Sequence, residues 1–226
     1  MLKKILKKLH FGNTLYYPGC LTHFVLPKIE SNYKKILKEL KIDFIFLPEF
    51  NCCGSPVKHA GYKKDFGQLK EKNLLFFKKY GITRIITNCP ACYRVLSDYG
   101  LNAEHITQTV WKNIKKLKAK HKGKITYHDP CHLGRHSNVY EEPRNILKHL
   151  GFTVVELPNG KERSFCCGGG AGLKSNYPAM SDDIAKRILS QVSTKKLITP
   201  CPLCYKHFKE NAPKDFEVLE FGEVLI

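Results

Sequence analysis

FNCCGSPVKHAG (residues 50–61) sets two adjacent cysteines, Cys52 and Cys53, between an apolar run and a glycine, and SFCCGGGAG (164–172) does the same with Cys166 and Cys167. Outward from these pairs, the first half reads Cys20, 31 residues, Cys52-Cys53, 35 residues, Cys89-Pro90-Ala91-Cys92. The second half reads Cys131, 34 residues, Cys166-Cys167, 33 residues, Cys201-Pro202-Leu203-Cys204. All 10 cysteines of the 226-residue chain fall into these two sets of five. Repetition at such a period marks two copies of one folding unit. The division expected is a basic helix over 1–13, a first repeat over 14–122 and a second over 123–226.

The segments between the cysteines match as well. Short β-type runs, TLYY (14–17) and KITYH (124–128), lead to breaks at Pro18 and Pro130. Helical spacing follows, through Ile29, Tyr33, Ile36, Leu37 and Leu40 in one half and Ile146, Leu147 and Leu150, stopped by Gly151, in the other. Second strands are expected over IDFIFLP (42–48) and FTVVELP (152–158), each running up to a cysteine pair. Longer amphipathic helices place Phe66, Leu69, Leu74, Phe77 and Tyr80 on one face, and Met180, Ile184, Ile188 and Val192 on the other's. Third strands, TRIITN (83–88) and KLIT (196–199), deliver the Cys-Pro-x-Cys groups. Each half is thus β-α-β-α-β-α, and the fold class is α/β: two pseudo-symmetric repeats with parallel sheets and right-handed crossovers. In such sheets the carboxyl ends of the strands lie along one edge, where these folds build their sites. The cysteines therefore converge there, and the two repeats are expected to close with their sites near the face between them.

Composition narrows the chemistry. The chain contains no run of 18 apolar residues, and MLKKILKKLH lacks the apolar core and cleavage site of a secretory signal, so a reducing cytoplasm is the expected compartment. There, ten cysteines read as metal or redox ligands rather than disulfides. The formal charge of +18 is mostly lysine spread at helix-surface spacing, which argues for a solvated surface and no specific nucleic-acid partner. Leu2, Ile5, Leu6 and Leu9 face away from Lys3, Lys4, Lys7 and Lys8, a pattern suited to a docking helix or to peripheral membrane contact. Phe76, Phe77 and Trp111 read as packing residues.

In both Cys-Pro-x-Cys groups proline suits the first helical position, so Cys89 and Cys201 fall at helix N-caps. Amides and the helix dipole there favour thiolate. Gly54 and Gly168–Gly170 after the pairs allow turns that aim amides at sulfur. Five thiolates are one more than a closed zinc site uses, and adjacent cysteines start in different directions. A polynuclear iron–sulfur cluster accepts ligands from several directions and fits five. Zinc in place of one cluster remains the alternative.

The motifs C-x(31)-CCG-x(34)-C-x-x-C and C-x(34)-CCG-x(32)-C-x-x-C resemble the paired cysteine-rich CCG domains of heterodisulfide reductase and its relatives. Those relatives include iron–sulfur subunits of glycolate, lactate and anaerobic glycerol-3-phosphate oxidation. YHDPCHLGRHSNVYEEPRNIL (127–147) with SFCCGGGAG strengthens the match, which covers about 14–226. The resemblance implies a noncubane [4Fe–4S] cluster at each complete motif, one or two per chain. Its ligands would be Cys20, Cys52, Cys53, Cys89 and Cys92 in one centre, and Cys131, Cys166, Cys167, Cys201 and Cys204 in the other. No ferredoxin-type cysteine run is present, so a ferredoxin-like iron–sulfur subunit and a flavoprotein are the partners implied. Three readings follow: a redox subunit that reduces a small-molecule disulfide, an electron-transfer subunit taking electrons from a flavin-dependent hydroxy-acid dehydrogenase, and a zinc-stabilised structural protein. The catalytic candidates are His128 and His132, either of which is placed to protonate a leaving thiolate. Arg135 suits a substrate carboxylate or an ordinary ion pair.

Overall fold

The computed structural model describes residues 12–47, 49 and 51–226, so the basic helix expected over 1–13 lies outside the described residues as far as Phe11, and Asn13 already opens the first strand. The first repeat runs β1 (Asn13–Tyr16), α1 (Cys20–Val25), α2 (Pro27–Glu39), α3 (Ser55–His59), α4 (Lys63–Lys79), β2 (Ile82–Thr87), α5 (Pro90–Asp98), β3 (Ala103–His105) and α6 (Ile106–Lys112). The second runs β4 (Lys124–Tyr127), α7 (Glu141–His149), β5 (Thr153–Glu156), α8 (Leu173–Asn176), α9 (Pro178–Leu189), β6 (Lys196–Thr199), α10 (Pro202–Asn211) and β7 (Glu217–Glu220).

All strand pairs are parallel, in a sheet ordered β1-β2-β3 and another ordered β5-β4-β6-β7. The run expected as a strand over 42–48 is reduced to one parallel bridge, Leu15 to Ile45, on the free side of β1. Two hydrogen bonds hold it, Ile45 N–H to Thr14 O at 2.9 Å and Tyr16 N–H to Ile45 O at 3.0 Å. With that segment counted, both sheets have the order second-first-third-fourth, and the repeats correspond element by element. β3 and β7 are additions to the β-α-β-α-β-α pattern. They are short, and Ala103-Glu104-His105 carries no apolar run by which to find it.

Why these segments become helices is readable in their ends. Pro27, Pro56, Pro90, Pro178 and Pro202 all sit in the first turn of a helix, where the missing N–H costs nothing. The α2 stripe Ile29, Tyr33, Ile36, Leu37 is buried, and the helix ends where Lys41 turns to φ 55°. Two expected core positions are corrected: Met180 and Trp111 are exposed, because the faces of α9 and α6 that carry them are left uncovered.

The core has three parts. A central cluster joins the repeats, with Tyr16, Ile29, Tyr33, Ile36, Ile106 and Val110 packed with Ile125, Tyr127, Ile146, Leu147, Phe221 and Leu225. Outer clusters belong to one repeat each, around Cys53 and Cys92 in the first and Cys167, Cys201 and Cys204 in the second. Each fully buried Leu, Ile or Phe contributes about 1.5–3 kcal/mol, so the central cluster is what holds the repeats as one body. Packing of α6 on α7 and of α1 on α10 completes that union. No helix among the described residues is long and apolar enough to cross a membrane.

Candidate metal centres

Each cysteine group follows a strand of its sheet. Cys20 opens α1 after β1, Cys52-Cys53 precede α3, and Cys89 caps α5 after β2. Cys131 follows β4, Cys166-Cys167 follow β5, and Cys201 caps α10 after β6. Both expected N-cap cysteines are in extended conformation with proline behind them, at φ −102° for Cys89 and −143° for Cys201. Each trio of loops comes from the three strands around the point where the sheet order reverses, the crevice that parallel sheets leave open.

The thiols meet in two ladders of the same order. In the first repeat sulfur contacts run Cys20–Cys52–Cys53–Cys92–Cys89. In the second they run Cys131–Cys166–Cys167–Cys204–Cys201, with 3.2 Å between the sulfurs of Cys204 and Cys167. No disulfide links any of the ten. Cys20 and Cys166 are exposed, whereas Cys53, Cys92, Cys167, Cys201 and Cys204 are buried, so each ladder is open at one end and closed at the other.

Hydrogen bonding sorts the charges along each ladder. Thiols of Cys20 and Cys53 hold Cys52 down at about 2, helped by the Gly54 N–H at 3.4 Å from its sulfur. Cys131 and Cys167 likewise hold Cys166 at about 2, with the Gly168 amide assisting. Cys89 is lowered first by Cys92 and then by the Cys92 and Ala91 amides at the start of α5. Their partners move the opposite way: Cys20, Cys53, Cys92, Cys131, Cys167 and Cys204 are all raised, chiefly by a neighbouring sulfur that already carries charge. Packed this closely, five sulfurs become thiolates together only around positive charge, which is what a metal group supplies.

The donor set fits a polynuclear group. Sulfur is the sole element offered, five atoms come from three directions, and adjacent cysteines both join the ladder. Among the described residues no group of three or more His, Cys, Asp or Glu side chains is set to hold a single metal ion, so the zinc alternative gains no support. Close packing leaves little slack around the first ladder. Gly19, at φ 80°, would carry a Cβ only 3.1 Å from the Cys92 sulfur and from Cys89 Cβ.

The family model of the cysteine-rich CCG domain matches residues 14–97 and 125–209. This chain belongs to that family. Three relatives place it further. A subunit of the dihydromethanophenazine:CoB–CoM heterodisulfide reductase from Methanosarcina acetivorans is 31% identical, over 95% of this chain and 58% of its own length. The EtfAB:quinone oxidoreductase of Syntrophomonas wolfei is 31% identical, over 93% of this chain and 34% of its own. An uncharacterized iron-sulfur protein of Methanocaldococcus jannaschii is 33% identical, over 87% and 41%. The chain thus spans only part of the length of each of these relatives.

Around the two CCG centres, the histidine candidates part company. His128 is buried, with Nε2 3.2 Å from Phe165 O and Nδ1 3.4 Å from Thr199 Oγ1, and burial lowers its pKa. It braces the loop that carries Cys166. His132 lies at the open end with Nδ1 3.4 Å from the Cys131 sulfur, and burial, then His59 and His136, push it down to about 4. Arg135 donates to Ser164 O at 2.5 Å, tying the loop after Cys131 to the loop before Cys166.

Several residues that serve the centres carry no sequence signal. Tyr16 OH donates to Asn88 Oδ1 at 3.0 Å and Asn88 Nδ2 to Thr22 Oγ1 at 2.9 Å, which fastens the Cys89 loop to β1 and α1. In the second repeat Arg144, itself buried, bridges Asp129 and Glu156 at 2.7 Å each and lies over the Tyr127 ring. Asp129 in turn accepts from Lys161 N–H at 2.9 Å.

Proposed function

We propose that this chain is an iron–sulfur redox subunit in which each CCG domain holds a [4Fe–4S] cluster of the noncubane type on its five cysteines. The observation that carries the reading is the pair of identically ordered five-thiol ladders, each with one buried and one exposed end. The names of the relatives, an iron-sulfur protein and a heterodisulfide reductase among them, support it.

When bound, the cluster supplies one-electron storage beside a site where sulfur chemistry takes place. The chain supplies the rest. Amides of Gly54, Gly168, Ala91 and Cys92 donate to the sulfurs and favour added negative charge. The exposed ends at Cys20 and Cys166 admit a small molecule or a partner's redox centre. At the second open end, His132 holds an N–H or an acceptor against the Cys131 sulfur, where a thiolate leaving a disulfide takes up a proton. The overall reaction is the reduction of a disulfide to two thiols by two electrons and two protons, the electrons arriving singly from a ferredoxin-like partner linked to a flavoprotein.

A second reading is favoured by the relative named as an EtfAB:quinone oxidoreductase: electron transfer in a flavoprotein-linked complex, with the chemistry elsewhere. The test is the purified, iron-loaded chain with a chemical reductant and small disulfides. Thiol release that falls in both Cys53→Ala and Cys167→Ala, together with about half of the iron in each, supports the first reading. Full reducibility of the protein without any thiol release supports the second, and unchanged iron in both variants would sink the five-thiol assignment.

A further inference from the structure

Two imidazoles from different repeats meet at the mouth of the second centre. His59 closes α3, which follows Cys52-Cys53, and His132 follows Cys131. Their Nε2 atoms are 3.4 Å apart, and their ring centroids are 5.1 Å apart with planes at 80°. His59 is exposed and His132 half-buried, so the pair is reachable from solvent.

The other ring nitrogens are already committed. His59 Nδ1 lies 2.7 Å from Ser55 O. A carbonyl only accepts, so Nδ1 carries the hydrogen and a neutral His59 turns a bare Nε2 toward its partner. His132 Nδ1 faces the Cys131 sulfur at 3.4 Å. With Cys131 a thiolate ligand, which rests on the function proposed above, that sulfur accepts too, and His132 also presents a bare Nε2. Two lone pairs facing each other repel unless an electrophile lies between them.

Distance discriminates between the two electrophiles available. Sharing a proton would draw the nitrogens to about 2.7–3.2 Å. Two imidazoles on one tetrahedral ion, with bonds of about 2.0–2.1 Å, set their nitrogens about 3.3–3.4 Å apart. The rings also splay: their centroids, at 5.1 Å, are farther apart than their Nε2 atoms, at 3.4 Å, as convergence on a common point requires.

We propose that His59 and His132 bind a divalent cation of the zinc class that clamps the two CCG repeats together beside Cys131. Ser55 O and the Cys131 sulfur orient the two ligands from behind, as acceptors behind metal-bound histidines do. The protein provides two ligands and leaves the remaining positions to water or to a ligand that enters the cleft, because no third His, Cys, Asp or Glu among the described residues completes the set. His136, with its ring 5.1 Å from that of His132, borders the same opening, and Arg94 reaches across from the first repeat to donate to His136 O at 2.9 Å.

The experiment is equilibrium dialysis of the oxygen-free, iron-loaded chain against micromolar zinc chloride, with zinc, iron and sulfide measured on the same samples. The expected result is zinc uptake beyond the iron sites that weakens about tenfold or more in His59→Ala and in His59→Gln, with iron and sulfide unchanged. Zinc affinity equal to wild type in both variants, or no uptake by wild type, would overturn the proposal and return the pair to proton sharing. Iron and sulfide report the centres separately: a chain that lacks iron yet takes up zinc through His59 keeps this inference and loses the cluster reading.

Discussion

Tyr17 and His128 stand at the same place in the two repeats, three residues before Cys20 and Cys131, and each ties its strand end to the carbonyl that precedes a cysteine pair. Tyr17 OH donates to Asn51 O at 2.5 Å, and His128 Nε2 lies 3.2 Å from Phe165 O. Burial raises the Tyr17 hydroxyl and lowers the His128 imidazole, so both are held neutral. Two different side chains thus perform one task, which assigns His128 to bracing the Cys166 loop rather than to proton transfer.

Removing either brace leaves a carbonyl without its donor in a largely buried setting, at a cost of about 1–3 kcal/mol. Tyr17→Phe is expected to lower the denaturation midpoint and to release iron from the first centre, and His128→Leu from the second. Iron quantified per chain, with the other domain's cysteines replaced, checks the assignment. Iron retained in full by both would mean that the loops are held by other contacts.

Gly19→Ala places a methyl 3.1 Å from the Cys92 sulfur at a φ of 80°. The backbone strain alone is about 1–2 kcal/mol, and the close contact adds to it. The expected outcome is a folded protein with the second centre intact and the first depleted, seen as a loss of about half the iron. Equal depletion of both centres would count against separate sites.

Arg144 is a buried cation between two carboxylates, 2.7 Å from each of Asp129 and Glu156. Arg144→Met strands the buried Asp129 and is expected to cost about 3–5 kcal/mol in chemical denaturation. Because Asp129 also receives Lys161 N–H and its carbonyl receives Ser164 Oγ–H at 2.9 Å, the approach to Cys166 loosens with it. A midpoint shift below about 1 kcal/mol would place this triad with ordinary surface pairs.

Glu220 gives the molecule a pH dependence. It is fully buried in the shared core, accepts from Tyr33 OH at 2.7 Å, and burial raises it to about 8. Since the unfolded chain releases this proton near the ordinary carboxylate value, the unfolded state binds fewer protons than the folded one from about pH 4.5 to pH 8. This group's contribution therefore falls as pH rises through that window and levels off above it. Glu220→Gln, which keeps an acceptor for Tyr33, is expected to flatten the decline and to gain stability relative to wild type at pH 8–9. Parallel curves for the two proteins between pH 5 and 9 would refute the assignment.

The sites were legible because ligand spacing is written in the chain itself: ten cysteines in two matching sets, each after an apolar run, need only a parallel sheet to converge. Cap positions were legible for a similar local reason, since proline after Cys89 and Cys201 leaves one natural place for each. Three-residue β3 has no such signature, and β7 alternates too briefly to stand out. The 42–48 run has the composition of a strand, but β-propensity measures fit to a pleated surface and says nothing of how many rungs an edge forms. His59 was out of reach altogether, because its meeting with His132, 73 residues on, exists only once the repeats close.

The most direct test is the iron, acid-labile sulfide and zinc content of the chain purified without oxygen. The account predicts about eight iron atoms with matching sulfide per chain, falling by about half in Cys53→Ala and in Cys167→Ala. One or two zinc ions held by the cysteines, without sulfide, would contradict it.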